Sequence, residues 1–182
     1  MSKSEFDTSK FKPSFVYSIY IASTAEKVWD ALTQAEFSKH YFHGMLVTVE
    51  PKVGGSFTVH LPDGKLHISG DVIEHDPPKR LTVTWNVNWP GMVEKLGITL
   101  VTYTIEPAGK GNVRLTLTQS QDRPINDDIL DGGRTGWPAI LSMLKSLLET
   151  GKVIPVETKP SEKMLKALED LGIEVSMPKR NS

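Results

Sequence analysis

Five histidines are the side chains of this sequence that most readily suggest a metal or proton-transfer site. His40 and His43 lie three residues apart, and His60 and His67 flank the segment Leu61-Pro62-Asp63-Gly64-Lys65. That segment is typical of a type I turn followed by a left-handed glycine, which pairs residue 61 with 65 and residue 60 with 66. His60 and His67 would then face opposite sides of the hairpin. No HExxH pattern or carboxylate cluster accompanies His40 and His43, so we predict surface or interface roles and no metal site.

Acidic residues and glycines precede the last long apolar segment and are a second candidate for chemistry. Asp127, Asp128 and Asp131 could bind a divalent cation, but negative charge is also favoured at the start of a helix by the helix dipole. The helix-terminal role is the simpler interpretation. Gly132-Gly133-Arg134 likewise favours a hinge or helix entry over a phosphate-binding loop, because neither GxxxxGK[ST] nor GxGxxG is present.

The usual signals of covalent catalysis are missing from the sequence. It contains no Cys and no GxSxG nucleophile motif. We therefore predict no catalytic residue and no cofactor. The lack of Cys also fits a reducing compartment. The first 13 residues lack the continuous apolar core of a signal peptide, so we expect a cytoplasmic protein.

Charge and hydropathy exclude two classes of partner. With 21 basic and 22 acidic residues, the formal net charge is −1, which gives no field that would concentrate nucleic acid or anionic lipid. No run of about 18 apolar residues occurs, so no transmembrane segment is expected. The length of 182 residues predicts one domain with tails.

Aromatic side chains could form a ligand site. Trp85, Trp89 and Trp137 are large apolar groups whose indole N–H usually needs a partner when buried. Plain core packing is the simpler interpretation, and cavity lining is the alternative. Tyr103 shares a strand face with Thr99 and Val101, so its phenol could orient the carbonyl or hydroxyl of a ligand in an apolar cavity.

The elements that would position these residues are mainly strands. Alternating apolar residues, bounded by turn residues such as Gly54-Gly55 and Pro77-Pro78, predict seven strands. They cover residues 13–21, 46–50, 56–61, 66–75, 81–89, 98–106 and 112–120.

Helical spacing occurs at three places. A helix through Val28 and Leu32, capped by Ser23 or Thr24, is followed by an irregular turn over residues 36–42. A long amphipathic helix is indicated by Trp137, Ile140, Leu141, Leu144 and Leu148. Pro138 must lie in its first turn or kink a helix that begins nearer Asp127, and we favour the kink. A last short helix, 161–171, is stopped by Gly172.

These elements predict an α+β fold in which a curved seven-stranded antiparallel sheet, with two short helices after strand one, wraps around the long C-terminal helix. We expect a flexible tail at residues 1–12, a ligand-binding domain at 13–151 and an extension at 152–182. A sheet of this width is broader than one helix, which is about 10 Å across, and tends to leave unfilled space beneath it. A small hydrophobic ligand could occupy that space.

Several motifs in succession resemble a known family. They are, in order, residues 25–33 (AEKVWDALT), 54–57 (GGSF), 70–74 (GDVIE), 77–81 (PPKRL), 84–85 (TW), 113–118 (VRLTLT) and Gly136-Trp137 with Leu141, Leu144 and Leu148. The succession is similar to the activator of heat-shock protein 90 ATPase homologue-like family, within the START-like or SRPBCC superfamily. The resemblance covers about residues 14–151.

The resemblance implies a helix-grip fold and, from many superfamily relatives, binding of lipids, polyketides or other apolar molecules. It transfers no catalytic residue. The eukaryotic activators that name the family carry a separate N-terminal domain for which this chain has no room, so the resemblance does not favour chaperone contact. A homodimer is left open.

We predict that the ligand lies between the sheet and the long helix, with no assigned reaction. The predicted ligand-binding residues are Phe57, Trp85, Val101, Tyr103, Leu117, Trp137, Leu141 and Leu144. One alternative is a cyclase- or hydrolase-like enzyme with Tyr103 or a buried His as proton donor. Another is a protein-interaction or chaperone-associated module that docks through the extension helix, whose apolar face carries Met164, Leu165, Leu168 and Leu171.

Overall fold

The first elements of the chain are a strand and two short helices. In the computed structural model, which describes residues 6–176, β1 (Lys12–Ile21) leads into α1 (Ala25–Thr33) and α2 (Ala35–Tyr41). Thr24 starts α1 because its hydroxyl oxygen accepts a hydrogen bond from the Lys27 amide at 3.3 Å. Part of the predicted tail, residues 1–5, and the end of the predicted extension, residues 177–182, lie outside the described residues.

The remaining strands are β2 (Leu46–Val49), β3 (Ser56–His60), β4 (Leu66–Asp76), β5 (Arg80–Thr84), β6 (Asn86–Val87), β7 (Thr99–Pro107) and β8 (Val113–Gln121). Together with β1 they form one antiparallel sheet in the order β1-β8-β7-β5-β4-β3-β2, with β6 paired to β4. The first and last strands in this order are the two edges of the sheet. The sheet curves, as predicted, and the side chains on its concave face form the main core.

The β3–β4 hairpin has the predicted turn and register. The Leu61 amide donates to the Lys65 carbonyl at 2.8 Å, and His60 pairs with Leu66. Val59 then pairs with Ile68, which leaves His67 as the extra residue of a bulge.

The predicted strand over residues 81–89 is wrong in its second half. It breaks at Trp85 into β5 and the two-residue β6, so the sheet has the seven predicted strands in its main order and β6 as an additional short strand paired to β4. Alternation of apolar residues gave no sign of the break. At this point β4 and β5 approach so closely that a side chain on Gly70 would overlap the Thr84 carbonyl oxygen. Only glycine permits that contact. The chain then leaves the sheet to form α3 (Met92–Leu96), which the sequence did not predict.

The long helix α4 (Asp127–Thr150) has 24 residues and carries Pro138 in its interior, so the longer of the two predicted helices is the correct one. Its start is fixed by Asn126, whose side-chain oxygen accepts from the Asp128 amide at 2.8 Å. The acidic residues there belong to the first turn of the helix. The face with Trp137, Leu141 and Leu144 is buried against the sheet.

A second, smaller hydrophobic cluster lies beside the main core. After α4 the chain continues to α5 (Glu162–Asp170), which is capped by Ser161 and ends before Gly172 at a φ of 74°. Leu168, Leu96 and Ile173 form the buried centre of the second cluster, with Met164 and residues near the start of α4 around it. The extension therefore covers α3 and the first half of α4. Among the described residues, none of the helices is long and apolar enough to cross a membrane.

Candidate functional site

The space predicted for a ligand, between Trp85, Tyr103 and Leu141, is almost filled. A void of about 10 Å³ remains there, which is room for about one water molecule. Its lining includes six of the eight predicted ligand-binding residues: Phe57, Trp85, Tyr103, Trp137, Leu141 and Leu144. The other two, Val101 and Leu117, are 0% exposed and line neither of the two cavities described here. Strand alternation and helical spacing place these side chains on the core side, but they do not show that the combined side-chain volume closes the gap.

Two buried tyrosines border this void. The Tyr41 hydroxyl donates to the Ala31 carbonyl at 2.8 Å. Burial raises the pKa of both the Tyr41 and the Tyr103 phenol well above the usual range, so both stay protonated at neutral pH. The Tyr103 ring meets Trp137 edge-on at 6.5 Å between centroids. Tyr103 is thus placed in the packed core, away from the larger cavity.

A much larger cavity, of about 260 Å³, lies on the other side of Trp85 and Trp137. Its walls come from the ends of β4, β7 and β8, from β6 and α3, from the first half of α4 and from α5. Apolar side chains dominate the lining; they include Met45, Ile68, Trp85, Val87, Trp89, Met92, Leu96, Ile125, Ile129, Trp137, Ile140, Met164 and Leu168.

Two tryptophans divide the small void from the larger cavity. The Trp85 and Trp137 rings are 5.1 Å apart at an interplanar angle of 61°. Phe42 and Ile140 complete the division, since both also line the two spaces. The Trp137 indole nitrogen donates to Gln119 Oε1 at 2.9 Å, which fixes the ring.

The side of α4 that faces the larger cavity carries three glycines. Gly132, Gly133 and Gly136 all line it. A Cβ on Gly136 would meet no atom within 4 Å, so the helix faces open space there. A Cβ on Gly132 would lie 2.6 Å from Met164 Sδ, and one on Gly133 would lie 2.5 Å from Phe15 Cζ. These two glycines therefore let α5 and β1 approach the helix closely.

A few polar groups also line the larger cavity: His67, Thr99, Gln119 and Gln121. The Thr99 hydroxyl donates to Gln121 Oε1 at 2.8 Å. Burial lowers the pKa of His67, so its imidazole is neutral at pH 7. Among the described lining residues there is no Asp, Glu, Lys or Arg.

The remaining histidines lie in other settings. His60 lines neither cavity, and the His75 ring packs edge-on against Trp29 at 5.3 Å. Within the part of the chain that the structure describes, no three His, Cys, Asp or Glu side chains are grouped to hold a metal ion.

Sequence reasoning missed the glycine face, the two glutamines, and the contributions of α3 and α5. One signal was available. Glycines at positions 132, 133 and 136 share one side of a helix, since residues three and four apart are neighbours on its surface. The sequence at Gly132-Gly133-Arg134 was interpreted as a hinge or helix entry, because neither GxxxxGK[ST] nor GxGxxG is present, and a cavity wall was not considered.

Comparison with known proteins places the chain in a family. The model of the family described as "Activator of Hsp90 ATPase homolog 1-like protein" matches residues 22–149, more than half of the chain. Among curated proteins, no match is found.

Solved structures show the same fold. Protein MLL2253 from Mesorhizobium loti is 29% identical, with a TM-score of 0.60 over 74% of this chain and 96% of that one. The Aha1 dimer from Colwellia psychrerythraea is 22% identical, with a TM-score of 0.58 over 76% of this chain and 97% of that one. An Hsp90 activator from Plasmodium falciparum is 20% identical, with a TM-score of 0.50 over 90% and 99%. The matched residues span the sheet and α4, so the chain belongs to the Activator of Hsp90 ATPase homolog 1-like family, with the START-like fold.

Proposed function

We propose that this protein binds a small, mainly hydrophobic molecule in the larger cavity, between the sheet, the glycine face of α4 and α5. The observation that carries the proposal is the cavity of about 260 Å³ with a predominantly apolar lining. Ligand sites are typically concave, mostly apolar and supplied with a few placed polar groups. This cavity has all three features.

The larger cavity is bordered by a glycine that makes α4 less stable than alanine would, and this supports a functional role for the cavity. Glycine inside a helix is about 1 kcal/mol less favourable than alanine. At Gly136 an alanine Cβ would clash with nothing, yet the chain has glycine there. Neither backbone conformation nor packing of the described residues requires that choice, and a ligand that packs against the helix there would account for it.

Filling the cavity from the helix tests the proposal. In Gly136→Leu the new side chain projects into the open space, and Thr135→Leu places the same side chain on the exposed side of the same helix. The probe is N-phenyl-1-naphthylamine, a neutral apolar fluorophore that brightens when it leaves water.

We expect the wild type and Thr135→Leu to bind one equivalent of the fluorophore with similar affinity. Gly136→Leu should bind at least about tenfold more weakly, since its side chain occupies the site. Circular dichroism and thermal unfolding establish that both variants fold. Equal binding by the two variants, or no binding by the wild type to this probe and to a library of apolar molecules, would contradict the proposal.

A reaction in the same cavity is the second candidate, and the observation that favours it is His67. Its imidazole is neutral at pH 7 and lines the cavity, as a general base must. Turnover of a bound molecule that is abolished in His67→Gln, while binding is retained, would favour catalysis. Binding without turnover in the wild type would favour carriage or sensing.

A further inference from the structure

The two glutamines of β8 present hydrogen-bond donors to the larger cavity. Gln119 Oε1 accepts from the Trp137 indole at 2.9 Å, and Gln121 Oε1 accepts from the Thr99 hydroxyl at 2.8 Å. Each amide oxygen already accepts from a protein donor, so the amide NH2 group is the part of each side chain whose hydrogen-bonding capacity is left entirely for a ligand. Within residues 6–176 neither NH2 group donates to a protein acceptor.

Both glutamines are held in place. Gln121 is 5% exposed, and it lies two residues from Gln119 on the same strand, so the two side chains share one face of the sheet. Gln119 also lies against α4, since its Oε1 is 3.4 Å from the position that a Cβ on Gly133 would take, which is contact distance. The donors are therefore fixed before a ligand arrives.

The charge of the lining limits the ligand. The described lining residues include no cationic side chain, and His67 is neutral at pH 7. A carboxylate or phosphate buried there would lose part of its hydration, and no cationic side chain among the lining residues would compensate for that loss, which is unfavourable. A neutral acceptor such as a carbonyl could receive an amide N–H without that penalty.

The shape and size of the cavity limit the apolar part of the ligand. Trp85, Trp89 and Trp137 contribute flat aromatic surfaces to its wall. An apolar cavity of about 150 Å³ accommodates benzene. The cavity here is about 260 Å³, which suits a flat system of about two or three fused rings.

We infer, building on the proposed function, that the cavity selects neutral, flat ring systems of about two or three rings that carry a carbonyl, with the Gln119 and Gln121 amides as its donors. The structure thus assigns to these glutamines the carbonyl-orienting role that the sequence suggested for Tyr103.

Three matched molecules test this selectivity against the wild type: 9-fluorenone, fluorene and 9-fluorenone-4-carboxylate. They share one ring skeleton and differ by the carbonyl and by a negative charge. Displacement of N-phenyl-1-naphthylamine gives each affinity. We expect fluorenone to bind about three- to tenfold more tightly than fluorene, the effect of a hydrogen bond to a fixed donor, and at least tenfold more tightly than the carboxylate.

Gln119→Glu and Gln121→Glu test the donors. Each keeps an oxygen for its protein partner, Trp137 or Thr99, but replaces the NH2 group. The fluorenone preference over fluorene should shrink towards one in both variants, while fluorene affinity serves as the internal control for folding.

The outcomes separate the two proposals. If fluorene binds as tightly as fluorenone, or the carboxylate binds most tightly, the selectivity is overturned and the binding function stands. A fluorenone preference that is unchanged in both variants overturns the role of the glutamines. If none of the three molecules displaces the probe, and the probe itself does not bind, both proposals are overturned.

Discussion

Along α4, the turns before and after Trp137 face the sheet with side chains of very different size. The later turns place Leu141 and Leu144 in the main core, where a void of about 10 Å³ remains. The earlier turns present Gly132, Gly133 and Gly136 to a cavity of about 260 Å³. One helix therefore fills the concave sheet at one end and leaves it open at the other.

Within this one helix, the turns that stabilise the core are therefore separate from the turns that border the proposed ligand site. Burying apolar side chains stabilises the fold by about 25 cal/mol per Å² of surface removed from water. The later turns supply that contribution. The earlier turns, which carry glycine, contribute little of this stabilisation. The extension partly replaces it, because Met164 and Leu168 pack against these turns. The proposed ligand site is thus built where the family domain meets the extension.

The largest expected effect comes from truncating a buried side chain in the later turns of α4. Leu144 is 0% exposed, so Leu144→Ala should lower the free energy of unfolding by about 2–5 kcal/mol through lost burial and a new cavity. Urea denaturation measures it. Ile129→Ala, at the half-buried wall of the larger cavity, should cost less than half as much. Equal costs would remove the distinction between the two ends.

Loosening the extension should give the next largest effect. Leu168 is 0% exposed and central to the second cluster. Leu168→Ala should cost about 2 kcal/mol, at the low end of such substitutions, because the site borders open space. Hydrogen exchange should rise first in α5 and leave the sheet protected. Lys166→Ala, on the exposed side of α5, is the control. Faster exchange throughout the sheet would mean that the two clusters do not unfold separately.

Adding one methyl group at the open end should have a smaller effect of opposite sign. Gly136→Ala should raise the free energy of unfolding by about 0.5–1 kcal/mol, because alanine favours the helix and its Cβ meets nothing within 4 Å. Gly132→Ala should stabilise less or destabilise, since its Cβ would crowd Met164. Thermal unfolding compares the two. A loss of stability in Gly136→Ala would show that the helix face is not open.

Acidification should have the smallest effect on stability, and it should act through His67 in the lining of the larger cavity. Burial lowers the pKa of His67 in the folded protein. Between the folded and unfolded pKa values the unfolded chain binds more protons, so stability rises with pH in that window and is lost as pH falls below about 6.5. The stability difference between wild type and His67→Gln should therefore change from pH 7.5 to 5.5, to the disadvantage of the wild type. Parallel pH profiles would contradict this expectation.

Local sequence signals predicted the fold well where a short segment determines its own geometry. The turn at 61–65 set the hairpin register, Ser161 and Gly172 bounded α5, and helical spacing identified α4. Pro138 left two starting points for α4, and Asn126 is the cap that decides between them. The break at Trp85 was missed because it depends on the close approach of Gly70 to Thr84, a contact between strands.

The candidate site was harder to predict for the same reason. Which residues point under the sheet follows from strand alternation for Trp85 and from helical spacing for Trp137, and both line the larger cavity. Whether space remains there depends on the sum of side-chain volumes from elements far apart in sequence. The wall formed by Met164 and Leu168 also depends on where the extension folds back.

The tryptophans that border the larger cavity should make intrinsic fluorescence sensitive to ligand binding. Of the four tryptophans, Trp85, Trp89 and Trp137 border the larger cavity, and Trp29 packs against His75 instead. A molecule that enters would change the surroundings of three indoles at once. Intrinsic emission should therefore report occupancy in unlabelled protein, and replacing Trp29 with Phe would remove the one contribution that does not come from the cavity.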